Sequence, residues 1–175
     1  MRSPVTLEKL KTLLMELGRR ATTSGRIYLV GGSTCLMLGA RSQTVDVDLK
    51  LDPEPGGIFE AIGYMKNALD LNVELAAPDD FLPPLPQWRE RSEFIARHGM
   101  VDFYHYDYYG QCLAKISRAN EVDLADASWY VDNGLVKRTK LLELFESVRA
   151  QLIRYPALDE HTLEARVRAF CKESC

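Results

Sequence analysis

The chain lacks any apolar run near the roughly 20 residues a membrane helix requires, which argues against insertion in a bilayer. It has no CxxC pair. Cys35, Cys112, Cys171 and Cys175 stand apart, with no histidine cluster beside them. That excludes the usual zinc spacing and a disulfide framework, so buried or free thiols are expected. Histidine is scarce, and His98, His105 and His161 are widely spaced, pointing to surface or structural roles rather than metal binding. A strong charge of either sign is also missing. The net charge of -3 provides no general attraction to nucleic acid, so an RNA substrate would need a local basic patch. No internal repeat and no low-complexity tract is found. At the N-terminus, charges separate Leu7, Leu10, Leu14 and Leu17 into one helix face where a signal peptide would have an uninterrupted apolar core. A cytoplasmic protein with no membrane partner is expected.

What is present is an ordinary globular balance: 175 residues, 46% hydrophobic and 27% charged, enough for one domain or a catalytic core with a small helical appendage. After the first amphipathic helix, Ile27–Val30 reads as a short buried strand and Ser33–Leu38 as a helix starting directly after two glycines. Val45–Leu51 reads as a second strand. Gly57–Leu71 spaces Ile58, Ala61, Ile62, Met65 and Leu69 helically, and Asn72–Ala76 reads as a third strand. Pro78–Trp88 holds four of the eight prolines and is expected to be an ordered loop rather than an element. Glu93–Ala96 and Met100–His105 flank a His98-Gly99 turn as a hairpin. Helices dominate thereafter: Asp107 caps one bearing Leu113 and Ile116, a second carries Asp123 and Asp126 and stops at Asn133-Gly134. Two longer helices follow, striped by Leu141, Leu144, Phe145, Val148 and Leu152, and by Leu163, Val167 and Phe170, with Pro156 between them. The expected fold is α/β (α+β), a small mixed sheet flanked by helices, with a C-terminal helical bundle.

Two short motifs carry chemistry. Gly31-Gly32-Ser33 follows the first strand. A glycine pair there is commonly a tight turn, but it also lets backbone approach a triphosphate, while the Ser33 hydroxyl and the first free N–H groups of the helix donate to phosphate oxygens. Asp46 and Asp48 are one residue apart on the second strand, so their carboxylates share a face while Val45, Val47 and Leu49 point into the core. Alone, that pair reads as a solvated strand face; joined to the glycine turn, it reads as a catalytic pair. Nucleotidyl transfer needs two divalent ions about 3.5–4 Å apart held by two or three carboxylates, and Mg2+ (or Mn2+) suits hard oxygen ligands and substrate phosphates. A third carboxylate from a neighbouring strand would act as general base or second-metal ligand. Glu74 is the first choice, with Asp80 and Asp102 as rivals. Tyr104, Tyr106, Tyr108 and Tyr109 are placed in packing rather than base stacking.

Val30-Gly31-Gly32-Ser33 followed by Asp46-Val47-Asp48 resembles the nucleotidyltransferase superfamily of the DNA polymerase β type. The stretch YDYYGQCLAKISRANEVDLADA resembles bacterial toxin-like nucleotidyltransferases, among them the AbiEii and MenA families and a related uncharacterised, DUF6036-like group. The matching positions are Lys115, Arg118, Asp123 and Asp126. The resemblance implies a nucleotidyltransferase α/β core over residues 1–106 and a C-terminal helical region over 107–175 packed on it. It implies that Asp46 and Asp48 bind metal and that Gly31, Gly32, Ser33, Lys115 and Asp123 bind nucleotide. Lys115 would grip the triphosphate and Asp123 would orient a basic residue or touch the nucleotide; the alternative is a Lys–Asp pair joining two helices.

The implied activity is transfer of a nucleoside monophosphate from an NTP, with release of pyrophosphate, to an RNA such as a tRNA 3′ end or to a protein hydroxyl. The context would be a toxin–antitoxin system with an antitoxin partner. A non-catalytic nucleotide-binding or antitoxin-like partner with a degenerate site is the alternative. A phosphatase or glycosyltransferase using the aspartates alone fits less well, because Leu49-Lys50 follows Asp48 and the glycine turn would lack a role.

Overall fold

The structure, a computed structural model, describes residues 2–172; Cys175, expected as a free thiol, lies outside them. Along the chain run β1 (Val5–Thr6), α1 (Leu7–Arg20), β2 (Gly25–Val30), α2 (Gly32–Met37), β3 (Gln43–Thr44) and β4 (Asp46–Leu51). Next come α3 (Ile58–Ala68), β5 (Asn72–Leu75), a 3₁₀ turn (Pro78–Asp80), α4 (Trp88–Arg91), β6 (Glu93–His98) and β7 (Val101–His105). The remainder is helical: α5 (Tyr108–Arg118), α6 (Glu121–Asp132), α7 (Arg138–Val148), a 3₁₀ segment (Arg149–Arg154) and α8 (Glu160–Lys172). The class is α/β as expected, and the chain divides into two compact units. One runs up to Ala77 and includes Ser92–Tyr106; the other joins Pro78–Arg91 to the chain from Asp107 onward.

The first unit is built on a five-stranded mixed sheet of order β5-β4-β2-β7-β6, with β1 and β3 forming a separate two-stranded ribbon. β2 pairs antiparallel with β4 and parallel with β7, and β4 pairs parallel with β5. The expected hairpin is present as antiparallel β6 and β7. Ile27 and Leu29 of β2, Val47 and Leu49 of β4, Val73 of β5 and Phe103 of β7 pack with Leu10, Leu13, Leu14 and Leu17 of α1 and Ile58, Ala61, Ile62 and Met65 of α3. This apolar face leaves the alternate residues of each strand on the opposite face. Thr6 begins α1 by accepting from Lys9 N at 3.3 Å, and Glu8 and Arg19/Arg20 match the ends of its dipole.

Two expectations need correction. Val45 is 75% exposed, because β4 starts one residue later and Val45 lies between the ribbon and the sheet instead of alternating inward. Pro78–Trp88 is not loop throughout: Pro78 opens a 3₁₀ turn, a position where its missing N–H costs nothing, and Trp88 opens α4.

In the second unit, Asp107 caps α5 by accepting from Tyr109 N at 3.2 Å. Its fully buried carboxylate is also gripped by Arg91, Nε to Oδ1 at 3.0 Å and Nη2 to Oδ2 at 2.6 Å. Asn120 caps α6 by accepting from Asp123 N at 2.9 Å. The α7 and α8 stripes are buried as expected, with Leu141, Phe145 and Val148 on one helix and Leu163, Val167 and Phe170 on the other. On their outer side Arg149 and Arg168 both pair with Glu164.

Candidate active site

In the first unit, the glycine turn meets the paired aspartates because β2 and β4 run side by side with Val30 opposite Asp48. Gly31 adopts φ 63° and ψ −131°, a conformation that a side chain strains against. A Cβ there would also stand 3.0 Å from Asp48 Oδ2, so the bare backbone lies directly beside that carboxylate. Gly32 has a packing reason of its own: a Cβ would fall 2.2 Å from Thr44 Oγ1, 3.2 Å from Thr44 Cβ and 3.3 Å from Arg41 Nη1. Ser33 is fully buried, and its Oγ donates to Val30 O at 2.7 Å and lies 3.4 Å from Asp48 O. That hydroxyl fastens the turn to β2 and β4.

Asp46 and Asp48 are half-buried on the sheet face opposite fully buried Val47 and Leu49. The parallel register with β5 sets Asn72 opposite Asp46 and Glu74 opposite Asp48, so all four side chains share that face. Asn72 Nδ2 donates to Asp46 Oδ1 at 2.7 Å and to Glu74 Oε1 at 2.9 Å. The exposed Glu74 is thereby tied to Asp46 through an amide. Among the described residues no group of three or more His, Cys, Asp or Glu side chains is disposed to hold a metal ion. Of the rivals to Glu74, Asp102 stands opposite Arg26 on β7, toward the start of β2 and away from the glycine turn. Arg97 holds it at 2.6 and 2.8 Å, and this bond lowers its pKa against the opposing effect of burial. Asp80 belongs to the second unit.

The second motif lies in the second unit as a polar network joining α5 and α6. Lys115 Nζ is 2.6 Å from Asp126 Oδ2 and 3.5 Å from Asp123 Oδ1, with its side chain 2% exposed. Arg118 donates to both Asp123 oxygens at 2.8 and 2.9 Å, and Asn120 Nδ2 adds a bond at 2.7 Å. Burial raises the Asp123 pKa, but the hydrogen bond and charge of Arg118, with help from Lys115 and Asn120, outweigh it and hold the carboxyl below its ordinary value. The Lys–Asp pair joining two helices is thus realised, with Asp123 bound to two cations.

The tyrosines pack. Tyr104 stacks on Tyr28 at 5.4 Å and meets the edge of Phe94 at 5.5 Å; Tyr106 is buried beside Tyr28, and Tyr108 against Tyr130. Tyr109 OH accepts from Lys137 N at 3.2 Å. His105 is buried with Nδ1 3.4 Å from Thr34 Oγ1, and desolvation pushes its pKa down to about 4. Cys35 and Cys112 are buried free thiols, and Cys171 is a partly exposed one. Burial raises the Cys112 and Cys171 pKa values. No helix among the described residues is long and apolar enough to cross a membrane.

Three polar residues at the site escape the motif reading: Arg41, Thr44 and Asn72. Asn72 was legible in principle, since it sits two residues before Glu74 and shares its strand face. Arg41 lies in the irregular connection after α2 and Thr44 in the two-residue β3, and their return to the glycine turn is set by the pairing of β3 with β1.

Neither a curated protein nor a solved structure matches the chain. A hydrophobic strand, a glycine turn seated on an aspartate and a second aspartate on the same strand face accord with the family whose description is nucleotidyltransferase of unknown function (DUF6036), which matches residues 6–172, and the chain belongs to that family.

Proposed function

We propose that this nucleotidyltransferase-family chain moves a nucleoside monophosphate from an NTP to a hydroxyl of an RNA, such as a tRNA 3′ end, or of a protein, as a component of a toxin–antitoxin pair. The observation that carries the transfer is the seating of Gly31 against Asp48, with Asp46 on the same face. Backbone without a side chain can approach a polyphosphate at the point where two carboxylates offer hard oxygen ligands.

Magnesium takes one or two carboxylates and completes its shell with water and substrate phosphates, so the pair fits it without a third ligand. Asp46 and Asp48 would hold Mg2+ or Mn2+, which when bound supplies charge neutralisation for the phosphates and the departing pyrophosphate. Glu74, exposed on that face, takes the proton of the acceptor hydroxyl. The hydroxyl oxygen forms a bond to the α-phosphorus as the bond from that phosphorus to its bridging oxygen breaks, and pyrophosphate leaves. Asn72 holds Glu74 and Asp46 in fixed relation. Gly31 and Gly32 shape the polyphosphate seat, and Ser33 braces it from beneath.

The test is transfer from each α-labelled NTP, with magnesium or manganese, to total RNA and to lysate protein. Wild type should label one fraction and Asp46→Ala/Asp48→Ala neither; equal labelling by the double variant refutes the proposal. An RNA acceptor should make binding fall steeply with salt, because phosphate contacts release counterions. Growth arrest on expression of wild type, absent with the double variant, would support the toxin role.

A second reading is favoured by the lack of a three-ligand cluster among the described residues: a nucleotide-binding or antitoxin-like partner with a degenerate site. NTP and magnesium would then raise its melting temperature without release of pyrophosphate.

A further inference from the structure

We infer that Arg41 supplies the cation that binds the polyphosphate of the NTP at the glycine turn, a role resting on the nucleotidyl-transfer reading above.

The geometry starts from Gly32. The direction in which its side chain would project is filled by Thr44 and by the Arg41 guanidinium, whose Nη1 stands 3.3 Å from where a Cβ would be. One residue earlier, the corresponding position on Gly31 is 3.0 Å from Asp48 Oδ2. Two adjacent glycines therefore bring bare backbone beside a guanidinium at one position and a carboxylate at the next. Lys115, the cation the second motif offers for the same task, is nearly fully buried between two carboxylates of its own unit.

Arg41 is also held in place. The chain before it is anchored by Gly39 N donating to Leu36 O at 3.2 Å and Ala40 N to Cys35 O at 2.9 Å. Beyond it, Thr44 is paired with Val5 in the β1–β3 ribbon. A loop fixed at both ends holds the Arg41 backbone beside the turn, which limits the ordering left to do on binding. Arginine suits the task, because its planar fork presents several N–H donors matched to phosphate oxygens and keeps its charge at any working pH. Asp46, Asp48 and Glu74 put three carboxylates on the face that must receive an anionic substrate. A cation beside the glycine turn offsets part of that repulsion for an incoming polyphosphate.

The experiment compares wild type, Arg41→Ala and Arg41→Lys by calorimetric binding of Mg2+-ATP, -GTP, -CTP and -UTP. Each nucleoside monophosphate and inorganic tripolyphosphate serve as further probes, with urea midpoints measured in parallel. Charge-assisted bonds of this kind imply that Arg41→Ala weakens the preferred triphosphate and tripolyphosphate by about ten- to a hundredfold. Monophosphate affinity and the urea midpoint should stay within twofold and within about 0.3 M, and Arg41→Lys should recover part of the loss. A purely structural arginine would lower the midpoint and weaken mono- and triphosphates alike, which overturns the assignment. Equal triphosphate affinity in wild type and Arg41→Ala overturns it as well. Failure of wild type to bind any NTP would overturn the nucleotidyl-transfer reading itself, an outcome visible before any variant is made.

Discussion

Lys115→Met tests whether the lysine of the second motif is first of all part of the fold. Its ammonium lies 2.6 Å from Asp126 and 3.5 Å from Asp123, and the three side chains are 2%, 7% and 10% exposed. Removing the cation takes a partner from two nearly buried carboxylates, and breaking a buried pair from one side costs about 3–5 kcal/mol. Arg118 still serves Asp123, so the loss falls mainly on Asp126 and should lie near the lower end, about 3 kcal/mol. With a urea slope of about 2 kcal/mol per molar, the unfolding midpoint followed by circular dichroism should drop by about 1.5 M. Replacing both partners with apolar groups removes the stranded charge, so Lys115→Met/Asp126→Leu should regain at least half of that loss. A midpoint for Lys115→Met within about 0.3 M of wild type would refute the reasoning, as would a double variant as unstable as the two single losses combined. The same pair of variants separates fold from chemistry. If the double variant is folded and still lacks transfer, Lys115 contributes to the reaction as well as to the joining of α5 and α6.

Other expectations follow from the same contacts. Gly32→Ala drives a Cβ to within 2.2 Å of Thr44 Oγ1, an overpacking of about 1–3 kcal/mol. The cost should shrink by at least about 0.5 kcal/mol in a Thr44→Ala background, and a double-mutant cycle by urea denaturation with no coupling would contradict the placement of Thr44. His105, buried with its pKa lowered to about 4, takes up a proton in the unfolded chain near pH 6.5 but not in the folded one until about pH 4. The unfolded state therefore binds more protons in that window, and stability falls as pH drops from 6.5 toward 4, by about 3 kcal/mol from this group. His105→Gln should flatten the pH dependence of the urea midpoint there relative to wild type; parallel curves would exclude this titration. In transfer assays, Asn72→Ala should leave Glu74 and Asp46 without their shared donor and lower the rate about tenfold while Mg2+-NTP affinity changes little; an unchanged rate would show that the bridge is dispensable.

The amino-acid sequence by itself determined the elements whose signal is local. Leu10, Leu14 and Leu17 repeat at helical spacing, so α1 could present one apolar stripe and little else. Alternation in Asp46-Val47-Asp48-Leu49 required both carboxylates to face away from the core wherever the strand was placed. Asp107 announced the start of α5 because its short side chain satisfies an N–H group two residues on. Val45 shows the limit of that logic: the alternation extends to it in sequence, but strand pairing begins only at Asp46. Tertiary structure decided everything that depends on which strands become neighbours. Parallel pairing of β4 with β5 brought Asn72 and Glu74 beside the aspartates, and pairing of β2 with β4 set Gly31 against Asp48. The ribbon of β1 and β3 returned Thr44 and Arg41 to Gly32, and helix packing buried Lys115 between Asp123 and Asp126. Periodicity within one segment records which face is apolar, whereas the partner of a polar face is chosen by sheet order and register, through contacts between residues far apart along the chain.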